Sequence, residues 1–267
     1  MCRMYSVTRE GYYAWKRRGP CARQLEDEAL YDLILEVFQQ SGSLYGSPKV
    51  TAALKLQGHK VSKKRVARIM QDHGLRARRA CIYRQRPGLH HFIHSVPNGS
   101  LDVRADAPDR VWVGDITYLK LNDEWRYLAV VMDKYSRKIL GWALGEQRTA
   151  KLTWQAFQRA LASRRPKPGL LFHTDRGIEY RAHEFAARLA RRGVVQSMNR
   201  PRRMNDNAFM ESFFANFKAE RIHRAAAFTC ETVLKATIEN YIEFYNNRRL
   251  HSSIGYTAPS QYEQQAA

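Results

Sequence analysis

Apolar residues fall at helical spacing in the first third of the chain. Between Glu26 and Gln40, Leu30, Leu33, Ile34, Val37 and Phe38 share one face of a 3.6-residue period, which predicts an amphipathic helix. A second helix is expected from Ser47, with Pro48 at its first position and Val50, Ala53 and Leu54 inward until Gly58 stops it. Ser62 can cap a third, in which Val66, Ile69 and Met70 face inward and Gly74 ends the run. Periodicity then lapses, with Pro87, Gly88, Pro97, Asn98, Gly99 and Pro108 scattered over residues 80–108. From Arg110 the pattern turns to strands. Val111 to Leu121 is β-rich, Asn122-Asp123-Glu124 makes a turn, and Trp125 to Met132 is a continuous apolar strand. Ile139 to Leu144 follows the Ser136-Arg137-Lys138 turn, so the three strands form an antiparallel meander. Thr153 to Ala162 reads as a helix, with Trp154, Phe157 and Leu161 inward. Leu170 to Phe172 reads as a short buried strand, parallel because helices flank it. Ala182 to Arg192 is another helix and Val194-Val195 a last strand. A long helix after Cys230 carries Ile238, Tyr241, Ile242 and Tyr245, and a polar tail closes the chain.

This order predicts an α/β fold: a ribonuclease-H-like mixed sheet with flanking helices, preceded by a small helical, helix-turn-helix-like region. The expected divisions are a basic helical region at 1–79, a linker at 80–108, a ribonuclease-H-like core at 109–228, and a C-terminal helix and tail at 229–267.

Charge narrows the class. Of 267 residues, 45 are Lys or Arg and 25 are Asp or Glu, a formal net charge of +20. The excess is present in both halves, which favours a polyanionic partner, nucleic acid first. Mean hydropathy of −0.56 and the lack of a long apolar run argue against a membrane span. Cys2, Cys21, Cys81 and Cys230 lie far apart without a C-x-x-C pair, so neither a disulfide scaffold nor a cysteine zinc site is expected. A cytoplasmic, nucleoid-associated protein is the expectation. Two short helices joined by a four-residue turn, the second showing Lys63, Lys64, Arg65 and Arg68 outward, match a helix-turn-helix. The same pattern also fits a helical hairpin with a solvated basic face. His90 and His94 have helical ligand spacing but no completing pair, and read as solvated linker histidines.

Three acids stand out by context. Asp115 interrupts the apolar run Val111-Trp112-Val113-Gly114, where an unpaired charge is costly. Asp175 follows the buried Leu170–Phe172 strand, in His173-Thr174-Asp175-Arg176-Gly177. Glu211 lies at the start of an amphipathic helix expected to be capped by Asn205 or Asp206. Singly, such residues are more often turn, cap or solvated side chains. Together, two strand-borne Asp and a helix-borne Glu can converge at one sheet edge and offer hard oxygens to Mg²⁺ or Mn²⁺. Two such ions suit in-line phosphoryl displacement. Asp133 sits in an equally good strand context and competes with Asp115, while Asp206 reads as a helix cap.

Thirty-five residues separate Asp175 from Glu211, and Lys218 follows Glu211 by seven, on the same helix face. This spacing resembles the D,D(35)E signature of retroviral integrases and insertion-sequence transposases. The chain is most similar to the second-reading-frame product of the IS-three family of bacterial insertion sequences. The matching segments are Trp112 to Tyr118, His173 to Tyr180, Asn205 to Glu211 and the tail Tyr245 to Tyr256, with Tyr45 to Val50 upstream.

The resemblance implies a metal-dependent DNA transposase. Its catalytic and metal-binding triad would be Asp115, Asp175 and Glu211, holding two divalent ions, Mg²⁺ or Mn²⁺. Strand cleavage would expose a 3′-hydroxyl for strand transfer, with no covalent protein–DNA intermediate, leaving Tyr180, Tyr245 and Tyr256 to packing. Lys218 would contact DNA near the element end. The loop Arg200-Pro201-Arg202-Arg203 could hold phosphates, on charge and position. The implied partners are insertion-sequence ends and target DNA, a further copy of the chain, and an upstream reading-frame product carrying a leucine zipper, since no leucine heptads appear here. Glu179 stands where the family usually carries Gln, which puts an extra negative charge beside Asp175. Asp133 takes a structural role, pairing Arg137. A structure-specific nuclease of the same fold and a decayed, DNA-binding transposase are the alternatives; the intact triad and the tail motif favour the transposase.

Overall fold

The computed structural model describes residues 7–77, 96–100, 103–200, 204–222 and 228–266. The chain forms two compact units, Met1–Arg78 and Arg79–Ala267. In the first, α1 (Arg9–Arg17) is capped by the Thr8 hydroxyl and buries no residue. Its rings, Tyr12, Tyr13 and Trp15, are exposed, so it carries no burial pattern that would announce it. Then come α2 (Ala22–Gln40), α3 (Ser47–Leu56) and α4 (Lys63–Asp72), which pack on one another through Leu30, Ile34, Val37, Phe38, Val50, Leu54, Val66, Ile69 and Met70. Ser62 caps α4 as expected, accepting from the Arg65 N–H at 3.2 Å. The α3–α4 connection spans residues 57–62, longer than the four-residue turn expected, because α3 closes at Leu56, ahead of Gly58.

The second unit is built on β1 (Val111–Leu121), β2 (Glu124–Asp133), β3 (Ile139–Gly145), β4 (Leu171–Thr174) and β5 (Val195–Met198), in the order β3-β2-β1-β4-β5. The first three strands form the antiparallel meander, while β4 pairs with β1 and β5 with β4 in parallel. Between them lie α5 (Ala150–Arg164), α6 (Ile178–Arg181) and α7 (His183–Ala190); α8 (Ala208–Glu220), α9 (Glu231–Asn247) and α10 (Pro259–Ala266) follow. Successive strand residues serve opposite faces. Trp112, Ala129 and Val131 join Phe157 of α5, Phe172 and Phe185 in one core. Val113, Leu128, Val130 and Met132 join Met210, Phe213 and Phe217 of α8 and Ile238 and Tyr241 of α9 in the other. Burial on both faces is why β1 and β2 read as nearly unbroken apolar runs. Against β3, α5 comes so close that a Cβ on Gly141 would lie 2.3 Å from the Ala156 carbonyl oxygen and 2.5 Å from the Ala160 nitrogen.

Two expectations change. Residues 96–100, read as part of the linker, bond into the second unit: Met198 N–H donates to the Pro97 carbonyl (3.3 Å) and Lys134 Nζ to the Ser100 carbonyl (3.1 Å). The histidines at 90, 91 and 94 lie outside the described residues. The tail is not merely polar. Its helix α10 carries Glu263, which accepts from Ser136 Oγ at 2.7 Å and pairs with Lys138 (3.2 Å) and Arg164. In the tail motif, Asn246 accepts from the Ile139 N–H (2.8 Å) and donates to the Ile139 carbonyl (2.9 Å), so its amide stands in for a neighbouring strand at β3.

Candidate functional site

The register of the parallel pair brings two of the three acids together. Gly114 on β1 faces Thr174 on β4, so Asp115 and Asp175, each one residue further on, emerge side by side. Each ties one oxygen to the backbone: Asp115 Oδ1 accepts from the Ile116 N–H (2.7 Å) and Asp175 Oδ1 from the Gly177 N–H (2.9 Å). Loss of water, with the neighbouring Asp175 charge, pushes the Asp115 carboxyl well above the usual carboxylate range. Asp175 is also raised, by burial and then by Glu179, with the Gly177 hydrogen bond and Arg148 opposing.

A residue that sequence reasoning missed completes this pair. Arg148, just before the Thr149 cap of α5, donates to Glu179 Oε1 through Nε (2.8 Å) and Nη2 (2.6 Å), and its Nη2 stands 3.8 Å from Asp175 Oδ2. Glu179 is buried, and its second oxygen has no hydrogen-bond partner. The extra charge at this position therefore comes with its own counter-ion. Nothing in the local pattern around Arg148 distinguishes it from the other surface arginines, because its partner lies thirty-one residues away.

Glu211 rides on α8, solvent-exposed in the first turn. Neither Asn205 nor Asp206 caps this helix. Its cap position is Asn207, buried, whose side-chain amide reaches back to donate to the Gly114 carbonyl at 3.2 Å, next to Asp115. Glu211 is four residues on, one turn along the same helix edge. Lys218, two turns further, lies 4.2 Å from the centroid of the Tyr118 ring on β1. Burial lowers the Lys218 pKa, and the Asp115 charge works against that shift. So α8 is fastened beside Asp115 at one end and beside Tyr118 further along. Among the described residues, no three Asp, Glu, His or Cys side chains stand close enough to share an ion.

At its last residue, α8 is fastened again. Glu220 is buried and accepts from Arg249 Nη2 (2.7 Å), Arg249 Nε (3.1 and 3.2 Å) and Tyr241 Oη (3.0 Å). Arg249 belongs to the tail motif, which thereby holds the Glu211 helix in place.

The competing acids are structural. Asp133 is buried and accepts from the backbone N–H groups of Asp109 (2.7 Å), Tyr135 and Ser136 (2.9 Å each). It does not ion-pair with Arg137, whose guanidinium lies 3.7 Å from the centroid of the Phe209 ring. Asp206, rather than capping α8, accepts from Asn98 Nδ2 (2.7 Å) and from Arg200 through N (2.9 Å), Nε (3.1 Å) and Nη2 (2.9 Å). Arg200 holds its carboxyl far below the usual range. Arg200 is thus occupied by an acid, and Arg202 and Arg203 lie outside the described residues. On α4, Lys63 and Lys64 are exposed. Arg68 is exposed and Arg65 half-buried, and both pair with α2: they reach Asp27 (2.6 Å from Arg65, 2.5 Å from Arg68), and Arg65 also meets Glu26. Tyr180 and Tyr245 are buried packing residues, as expected.

Comparison with known proteins bears directly on this arrangement. Residues 24–83 match a family model described as an HTH-like domain, and residues 105–204 and 192–259 match two described as integrase core domains. The chain is 36% identical over 270 residues to the transposase InsF for insertion sequence IS3A of Escherichia coli (strain K12), covering 98% of this chain and 92% of that protein. The chain belongs to the IS3 family of transposases. It is also 34% identical to the insertion element IS600 uncharacterized 31 kDa protein of Shigella sonnei, over all of both chains. A chain in a cryo-electron microscopy structure of the simian T-cell lymphotropic virus intasome in complex with the PP2A regulatory subunit B56 gamma shares the fold. It aligns with a TM-score of 0.50 at 18% identity, covering 79% of this chain and 69% of that one. The IS3-family chain is accordingly a DNA-binding transposase, a DNA strand transferase and endonuclease on a ribonuclease-H-like integrase core. The resemblance read from the motifs holds, and the nuclease alternative is not favoured. Among the described residues no helix is long and apolar enough to cross a membrane.

Proposed function

We propose that Asp115, Asp175 and Glu211 are the catalytic acids of this IS3-family transposase and together hold two divalent ions, Mg²⁺ or Mn²⁺. The observation that carries this reading is the in-register pair Asp115 and Asp175, with the Glu211 helix tethered at Gly114. The donor set fits such ions. Two carboxylates raised by burial, Asp115 further by the Asp175 charge and Asp175 by that of Glu179, with Arg148 nearby only at 3.8 Å, are short of positive charge, and hard oxygens suit these cations. Bound there, the ions supply activation of the attacking oxygen and charge neutralisation at the leaving one.

The chain's own residues do the rest. Asp115 and Asp175 present their outer oxygens while the Ile116 and Gly177 N–H groups hold their inner ones. Arg148, steadied by Glu179, offsets negative charge beside Asp175. Glu211 closes the site from α8, and Lys218 holds the DNA near the reacting end. Strand cleavage exposes a 3′-hydroxyl, which then attacks target DNA.

The division of labour we assign follows the two units. The basic helical region, 1–79, contacts insertion-sequence ends through Lys63 and Lys64, with Arg65 and Arg68 setting the angle of α4 on α2. Residues 109–228 carry the chemistry, Arg202 and Arg203 adding phosphate contacts, and residues 229–267 brace it. Joining two ends requires at least two copies on DNA, and an upstream reading-frame product completes end recognition in the cytoplasm. The test is a strand-transfer assay on labelled DNA carrying the element's terminal repeats, with Mg²⁺ or Mn²⁺. Joined products that vanish in Glu211→Gln support the reading, whereas nicked but never joined products refute strand transfer.

A further inference from the structure

The hairpin formed by β1 and β2 carries two large aromatic side chains that the fold leaves in solvent. Tyr118 is 40% exposed and Trp125 is 50% exposed. They pack edge to face, ring centroids 5.1 Å apart and planes at 88°, on neighbouring strands where Tyr118 faces Tyr127 and Lys120 faces Trp125. Covering such a ring would be favourable by about 25 cal/mol per Å² of apolar surface, so the half-exposed Trp125 is suited to an occupant.

Charge and position identify the occupant. The Lys218 ammonium stands over the Tyr118 ring, with no carboxylate within ion-pair distance among the described residues. At about 3.3 Å per strand residue, the Lys120–Trp125 position lies roughly 17 Å along β1 from Asp115. That is about five steps of a stacked nucleic-acid strand, at roughly 3.4 Å each. An aromatic face beside a cation, a few nucleotides from the acids, is the arrangement that holds single-stranded nucleic acid, because every base presents a π-face and every linkage a negative charge.

We propose that Trp125, braced by Tyr118, stacks an unpaired nucleobase of the substrate DNA a few nucleotides from the phosphodiester that reacts at Asp115, with Lys218 beside the adjoining phosphate. This rests on the reading that Asp115 marks the reaction centre on DNA, and not on which acids bind metal.

The full chain is titrated, without divalent ions so that no strand is cut, with two fluorescently labelled duplexes of the same sequence. One is blunt and the other ends in a five-nucleotide single-stranded extension. Trp125→Ala is expected to weaken binding of the extended duplex about tenfold or more, the loss of one stacked base, and to change blunt binding less than twofold. Trp125→Phe keeps a ring and stays within about threefold of the wild type on both. Intrinsic tryptophan fluorescence gives a second readout: quenching by the extended duplex is strong in the wild type and reduced in Trp125→Phe. Equal losses on the two duplexes, unchanged affinity for the extended one, or identical quenching in Trp125→Phe each overturn the proposal. So does a change in sedimentation of Trp125→Ala without DNA, which would make the patch a contact between copies. Failure of the wild type to bind the blunt duplex at all would strike the DNA reading itself, a result distinct from these.

Discussion

Replacing Glu220 by Gln tests how the tail motif supports the catalytic helix. Glu220 and Arg249 are both more than nine-tenths buried, and three hydrogen-bond contacts with the guanidinium and one with Tyr241 Oη converge on the carboxylate. Burial works against the Arg249 charge and Glu220 supports it, and a guanidinium keeps its proton even when that partner is lost. With the carboxylate gone, that charge is left buried and unpaired. Breaking a buried pair from one side costs about 3–5 kcal/mol. For a unit of this size, each kcal/mol moves the melting temperature by roughly 2–4 °C, so Glu220→Gln should melt about 6–20 °C lower. Thermal unfolding followed by circular dichroism reads this directly. A double variant, Glu220→Leu with Arg249→Met, removes both charges and should recover at least half the loss, because an apolar pair of similar volume is often neutral or better. A Glu220→Gln loss below about 1 kcal/mol, or a double variant no better than the single one, would refute the argument that the pair is a desolvated ionic anchor.

Five further outcomes follow from the geometry. Asp115→Asn, Asp175→Asn and Glu211→Gln should each abolish strand cleavage while leaving DNA binding within about twofold, since phosphate contacts carry the affinity; near-wild-type cleavage in any one removes that residue from the site. Because the folded state raises the Asp115 pKa, its proton is held more tightly in the fold, and its contribution to stability is lost as pH rises through the folded value. Metal-free Asp115→Asn should thus gain a few degrees in melting temperature at pH 7 to 8 and nothing below the unfolded carboxylate value near 4. Asp206 has the opposite sign: held low by Arg200, it stabilises above the unfolded value and loses that as pH falls. Asp206→Asn should cost about 1 kcal/mol at pH 7, with half-exposed Arg200 screened by solvent, and should flatten the acid limb of a stability–pH curve below about pH 4. Gly141→Ala should cost about 1–3 kcal/mol in urea unfolding, because its Cβ would meet the backbone of α5 rather than a movable side chain. Lys63→Ala with Lys64→Ala should lower the slope of log K against log salt by about two for duplex binding, and an unchanged slope would remove α4 from the interface.

Much of this molecule was legible in its residues, for physical reasons that differ between parts. The five strands and the helices that bury an apolar face declared themselves by periodicity, because burial sets the side-chain pattern. Asp115 and Asp175 were legible because a charge beside a buried strand is costly and so stands out. The helix α1 was not, since it buries nothing, and α10 was not, since Glu263 and Tyr262, which help to anchor it, meet partners about a hundred residues or more upstream. Arg65 and Arg68 look like any exposed helix cations until Asp27 is placed opposite them. Asn205 and Asp206 are both good capping types, so either reads as the cap of α8. In the fold, Asp206 is claimed by Arg200 and Asn98, and Asn207 spends its amide on Gly114. Pairings across long sequence separations, such as Arg148 with Glu179 and Arg249 with Glu220, leave no local trace.

The two fastenings of α8 have a mechanical consequence. The helix is a beam held at Asn207 by the β1 backbone and at Glu220 by the buried ionic anchor. At 1.5 Å per residue, Glu211 sits about 6 Å from the first support and about 13 Å from the second. A rocking motion pivoting at Asn207 therefore displaces Glu211 by only about three-tenths of what it displaces the far end. Loosening the distant anchor would blur the position of Lys218 well before it moved the carboxylate, so damage at the tail should show first in how DNA is gripped and only later in how it is cut.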